Sequence, residues 1–97
     1  MTYLRIAAIV DDIAELPQAI VEHALPGDVV IDLRGAEEAP RPYANGRRVD
    51  ISDIEGIAEE LPATRRIVIC CRSGQRALMA ADRLRDKGLD IALVALG

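Results

Sequence analysis

Residues 65–88 read RRIVICCRSGQRALMAADRLRDKG, and this stretch decides the fold. Ile67, Val68, Ile69 and Cys70 make an unbroken apolar run, the pattern of a central strand covered on both faces. Ala77, Leu78, Ala81 and Leu84 then recur at helical spacing, with Arg83, Arg85, Asp86 and Lys87 mostly on the opposite side. Gly88 stands where a left-handed glycine ends such a helix. Between strand and helix lie Cys71, Arg72, Ser73, Gly74, Gln75 and Arg76. A loop in that position aims successive backbone N–H groups and a helix N-terminus at one point, with two guanidinium groups beside it. Such a point binds anions and favours the ionised form of a thiol.

The rest of the chain reads as scaffold for that loop. Leu4–Val10 (LRIAAIV) is expected as a first strand. Ile13, Leu16, Ile20, Val21, Ala24 and Leu25 give an amphipathic helix, with Pro17 in its first turn. Pro26-Gly27-Asp28 is a turn, and Val29–Leu33 (VVIDL) a second buried strand. Gly35–Arg48 is irregular, with a brief strand expected around Arg48–Ile51. Ser52 or Asp53 would cap a helix running to Leu61 with Ile54, Ile57, Ala58 and Leu61 on one face, and Pro62 ends it. Ile91–Leu96 is the last strand. Alternating strands and helices predict an α/β fold: a single small domain over residues 1–97, its central, mostly parallel sheet carrying helices on both faces. In such sheets the functional crevice lies beyond the C-terminal strand ends, where Asp32, Arg34 and Cys71 fall.

Two marks resemble the rhodanese family of sulfurtransferases. CRSGQR at 71–76 is similar to the family's active-site loop, commonly C-R-S-G-x-R, set between a strand and a helix. DLRGAEE at 32–38 fits the family's D-x-R-x-x-E-E through Asp32, Arg34, Glu37 and Glu38. The resemblance spans roughly residues 26–97 and implies a small rhodanese-like domain. Cys71 would then be the nucleophile that takes up a sulfane sulfur as a persulfide and passes it to a thiol or other nucleophilic acceptor. Arg72, Ser73, Gly74, Gln75 and Arg76 would form the anion-binding loop, and Asp32 with Arg34 an ion-paired buttress beneath it. Glu37 and Glu38 read as structural ion-pair partners. Tyr43, Arg47 and Arg48 belong to a solvated loop or to the pocket rim. The partners implied are a small anionic donor such as thiosulfate, or a cysteine desulfurase or sulfur-carrier protein. Neither a metal nor an organic cofactor is expected.

Other readings stay open. Counted from Cys70, the same letters spell Cys-x5-Arg, the phosphate loop of tyrosine phosphatases, with Cys70 as nucleophile and Arg76 as clamp. A domain that keeps the fold without turnover is a further alternative. ANGRRVDIS at 44–52 stands where the family usually has G-H-I-P-G-A, and the chain ends at Ala95-Leu96-Gly97 before the usual double glycine and closing helix. Both features resemble the rhodanese-like C-terminal domains of sulfur-relay enzymes, in which the persulfide is handed to a protein or a bound intermediate.

The 97 residues are half apolar but contain no Phe or Trp, so the interior is built from Ile, Val, Leu and Ala. The formal charge of −4 argues against nonspecific nucleic-acid binding. Eleven of the 12 basic residues are arginine, a side chain suited to gripping oxyanions. The N-terminus has no basic region ahead of its apolar residues and carries Asp11 and Asp12, unlike a signal peptide. No apolar run reaches membrane length. Two adjacent cysteines make no disulfide framework. These features predict a reduced, cytoplasmic protein.

Overall fold

The computed structural model describes residues 19–97. Five strands form one parallel sheet: β1 (Ala19–Ile20), β2 (Val29–Asp32), β3 (Arg47–Arg48), β4 (Ile67–Cys71) and β5 (Ile91–Ala95), in the order β1-β5-β4-β2-β3. The apolar run of the opening stretch is thus the central strand, with β5 on one side and β2 on the other. All five residues of β4 are buried, as a strand covered on both faces requires. In-register pairs such as Ile31↔Ile69 and Ile69↔Leu93 bring Asp32, Cys71 and Ala95 to one end of the sheet.

One helix, α1 (Gln75–Arg83), follows β4. Its buried residues Ala77, Leu78, Ala80 and Ala81, with Leu84 just beyond, join Ile31, Ile67, Ile69, Cys71, Ile91 and Leu93 in one apolar cluster, which Ile54, Ile57 and Ala58 complete. Val30, Val68, Cys70, Ala92 and Val94 point to the other face, against Val21, Ala24, Leu96 and Tyr43 in the short 3-10 turn Tyr43–Asn45. The α/β fold read from the sequence is the one observed. After α1 a 3-10 turn, Arg85–Lys87, leads to Gly88 at φ 72°, the left-handed position foreseen for it.

Two segments differ from expectation. The amphipathic helix expected over residues 13–25 is not helical in its described part: Ala19–Ile20 pairs with Ala92–Leu93 as an edge strand, and the Val21 N–H extends the pairing to the Leu93 carbonyl. β-Branched Ile20 and Val21 satisfy the open edge of β5, an interaction that helical spacing does not register. The strand expected over residues 4–10 and the start of that helix lie outside the described residues. The helix expected to run to Leu61 is a pair of 3-10 turns, Ile51–Asp53 and Ala58–Glu60. Asp50, not Ser52 or Asp53, caps the first turn by accepting the Ser52 N–H at 2.9 Å. Gly56 and two β-branched isoleucines weaken a continuous helix there, yet Ile54, Ile57 and Ala58 still face the core. Among the described residues no helix is long and apolar enough to cross a membrane.

Candidate active site

The site is built where β4 ends. Strand alternation sends the two cysteines to opposite faces: Cys70 joins Val68 and Val94, whereas Cys71 joins the α1 side. Both are free and fully buried. The chain turns through Gly74 at φ 90°, a left-handed conformation that favours glycine, and enters α1. This turn carries the Gly74 N–H over the Cys71 sulfur, which accepts it at 3.0 Å. Ser73 Oγ receives the Gln75 N–H at 3.4 Å, a long contact. The loop is also held from the β5 side. Leu96 N–H donates to the Cys71 carbonyl at 2.9 Å and Gly97 N–H to the Arg72 carbonyl at 2.8 Å.

Asp32, at the end of β2, is the one buried charged residue among the described residues. Its Oδ1 accepts the Arg34 N–H at 2.9 Å, and its Oδ2 accepts Arg34 Nη2 and the Tyr43 N–H, each at 2.8 Å. Burial pushes the carboxyl up, but the hydrogen bonds from Arg34 and Tyr43 outweigh it and leave Asp32 below its usual value. This couple lies on the Cys70 side of the sheet, with Asp32 level with Cys70 in the register.

Arg76 and Glu38 form a second pair, joining the start of α1 to the turn after β2. Nη1 and Nη2 of Arg76 contact the two carboxylate oxygens at 2.8 and 2.7 Å, and Nη1 also donates to the Leu33 carbonyl at 3.0 Å. Glu38 Oε1 accepts the Gly35 N–H at 3.0 Å. The Arg76 guanidinium holds the Glu38 carboxyl down at about 2, with the Gly35 N–H helping. Arg48 donates to the carbonyls of Arg34 and Ala39. A cavity of 180 Å³ lies beside this assembly, walled by Arg34, Gly35, Glu38, Arg48, Asp50 and Arg76. Arg72 and Gln75 are exposed, and the Arg72 guanidinium makes no hydrogen bond or ion pair among the described residues.

The structure therefore gathers Cys71, Arg72, Ser73, Gly74, Gln75 and Arg76 in one loop, and sets Asp32 and Arg34 below it on the opposite face. It takes Tyr43 and Arg48 out of the solvated-loop reading. The Tyr43 hydroxyl accepts the Ala24 N–H at 2.8 Å while its own N–H serves Asp32. Sequence reasoning did not single out Arg48 as a brace for the turn after β2; no local pattern marks a contact made 14 residues away. The Cys-x5-Arg register is not favoured. Burial first, and then the neighbouring Asp32 carboxylate, push the Cys70 thiol up to about 12, and the sulfur faces away from the loop. No set of three or more His, Cys, Asp or Glu residues among those described is placed to hold a metal ion.

No family model matches the chain, and no curated protein matches it. Solved structures do. A rhodanese homolog from the extremely thermophilic bacterium Thermus thermophilus is 28% identical with a TM-score of 0.57, the match covering 73% of this chain and 79% of that one. A rhodanese-related protein from Thermoplasma volcanium is 26% identical with a TM-score of 0.62, covering 71% and 70%. A NAD-dependent persulfide reductase from A. fulgidus has a TM-score of 0.68 at 22% identity; the match covers 92% of this chain but 16% of that one. The chain has the fold of these rhodanese-like domains.

Proposed function

We propose that this rhodanese-like domain carries sulfane sulfur as a persulfide on Cys71, taking it from thiosulfate or from a protein persulfide and passing it to a thiol acceptor. The observation that carries this reading is the Gly74 N–H directed at the Cys71 sulfur, in a loop that opens a helix. Such a donor stabilises negative charge on sulfur, which is what both the thiolate and the persulfide bear. The Cys71 thiolate attacks the outer sulfur of thiosulfate, a new S–S bond forms, and the donor's S–S bond breaks with its electron pair leaving on sulfite. An acceptor thiolate then attacks the outer sulfur of the persulfide, and the Cys71 thiolate returns. The similarity to two rhodanese homologues above 25% identity supports the reaction class. The likeness to a small part of a persulfide reductase supports work as a relay module, fed and emptied by partner proteins.

Intact-mass measurement after treatment with thiosulfate, or with a cysteine desulfurase and cysteine, tests the reading. Wild type and Cys70→Ser are expected to gain one sulfur atom and Cys71→Ser none. Loading by the desulfurase alone would make the domain a relay. A Cys71→Ser protein that still gained sulfur, or a wild type that gained none from either donor, would overturn the proposal.

A further inference from the structure

At the end of β4 successive carbonyls first alternate, as a strand requires. The Cys70 carbonyl accepts the Leu33 N–H on the β2 side at 2.9 Å, and the Cys71 carbonyl accepts the Leu96 N–H on the β5 side at 2.9 Å. A regular strand would return the next carbonyl to the β2 side. Instead the Arg72 carbonyl also faces β5, where it accepts the Gly97 N–H at 2.8 Å. Two successive carbonyls are thus drawn to the two residues that follow β5. The peptide unit is planar, and among the described residues every one is trans, so turning a carbonyl one way turns the next residue's N–H the other way. The N–H groups of Arg72 and Ser73 are therefore both aimed away from β5, and neither has an acceptor among the described residues. The N–H that follows them, that of Gly74, lies on the Cys71 sulfur at 3.0 Å.

We infer that Leu96 and Gly97 are positioning residues, whose backbone N–H groups set the peptide planes of the Cys71 loop so that successive loop N–H groups face one way, toward charge carried on sulfur. The inference rests on the persulfide reading of Cys71 and assigns part of that site's precision to the tail of β5. The tail acts through its backbone alone: the Leu96 side chain packs against the cluster on the Cys70 face, and Gly97 has none. The physical reason is preorganisation. Successive N–H groups turned to one side are a fixed partial positive charge that needs no rearrangement when negative charge arrives. Released from the Gly97 N–H, the peptide unit between Arg72 and Ser73 is free to rotate, which exchanges its N–H for a carbonyl oxygen and so reverses the sign of the field it supplies.

The test alters one N–H at a time in the whole chain. Residues 1–70, as a thioester, are joined to a synthetic segment 71–97 through Cys71 itself, which leaves the sequence native. In one form an ester oxygen replaces the Gly97 N–H. In a control it replaces the Gly88 N–H, which has no acceptor among the described residues. Leu96→Ala removes apolar packing and keeps both tail N–H groups. The readouts are the rate of persulfide formation by intact mass, the ultraviolet absorbance of the Cys71 thiolate and the thermal midpoint. The donor is thiosulfate, or a cysteine desulfurase with cysteine where thiosulfate does not load the wild type. The Gly97 ester is expected to load sulfur about tenfold or more slowly, the scale of misdirecting one donor to a charged group, and to lose thiolate absorbance. Leu96→Ala is expected to load near the wild-type rate in spite of a lower midpoint, and the Gly88 ester to match wild type. Equal loading by wild type and the Gly97 ester, or rates that follow the thermal midpoint across all forms, overturns the role of the tail while leaving the persulfide reading in place. Absence of any Cys71 persulfide in the wild type overturns both.

Discussion

Asp32 shows how much one side chain does at the end of β2. It neutralises Arg34, and it satisfies two backbone N–H groups, those of Arg34 and Tyr43. Asp32→Ala would leave a half-buried guanidinium without its counter-charge and the Tyr43 N–H without an acceptor. Urea denaturation is expected to show a loss of about 3–5 kcal/mol, the usual cost of removing one partner from a buried pair. Asp32→Asn keeps the shape and part of the hydrogen bonding, so the loss should be about half as large. The neighbouring Cys70 thiol, pushed up to about 12, stays protonated at every ordinary pH. Alkylation at pH 8 in the native state should therefore leave Cys70 unmodified.

At the scale of elements, the passage from β4 into α1 turns on Gly74. A side chain there must adopt φ 90°, at a cost of about 1–2 kcal/mol, and any relaxation moves the N–H that points at Cys71. Gly74→Ala is expected to lower the thermal midpoint modestly and the rate of persulfide formation more severely; a change in the midpoint alone would separate the loop's shape from its chemistry. This element was legible in the sequence because apolar runs report burial directly, and Ile67–Cys70 and Ile91–Leu96 leave little ambiguity. Residues 13–25 misled because Ile20, Val21, Ala24 and Leu25 satisfy a helical period while Ile20 and Val21 equally suit a strand edge. Residues 51–61 kept their buried face but not their helix, since burial periodicity survives in linked 3-10 turns. What no local pattern could show is the clasp between Glu38 and Arg76, which joins side chains 38 positions apart. The two motifs named its members, and only the fold brought them together.

For the whole molecule, the ion pairs set the response to acid. Asp28, Asp32 and Glu38 each meet an arginine, and each carboxyl lies below its ordinary value of 3.8 or 4.5. A depressed carboxyl contributes stability that is complete above its unfolded value and is lost as pH falls toward its folded one. Thermal unfolding should therefore be nearly flat from pH 7 to pH 5 and decline between about pH 4.5 and 2. The difference between wild type and Glu38→Gln should be full at pH 6 and shrink across that same window. A difference that persisted unchanged at pH 2.5 would mean that packing, and not charge, holds the clasp.

If Cys71 carries sulfur as proposed, the opposite orientation of the two adjacent cysteines bears on how long that cargo can be kept. The chain has no other cysteine. A sulfur loaded on Cys71 has the sheet itself between it and the one other thiol of its own molecule, and that thiol is protonated and buried. Self-discharge to an internal disulfide is thus closed off by geometry. On the proposed persulfide reading, the dwell time of the loaded form would be governed by encounters with outside thiols, and it should lengthen in proportion as those thiols are diluted.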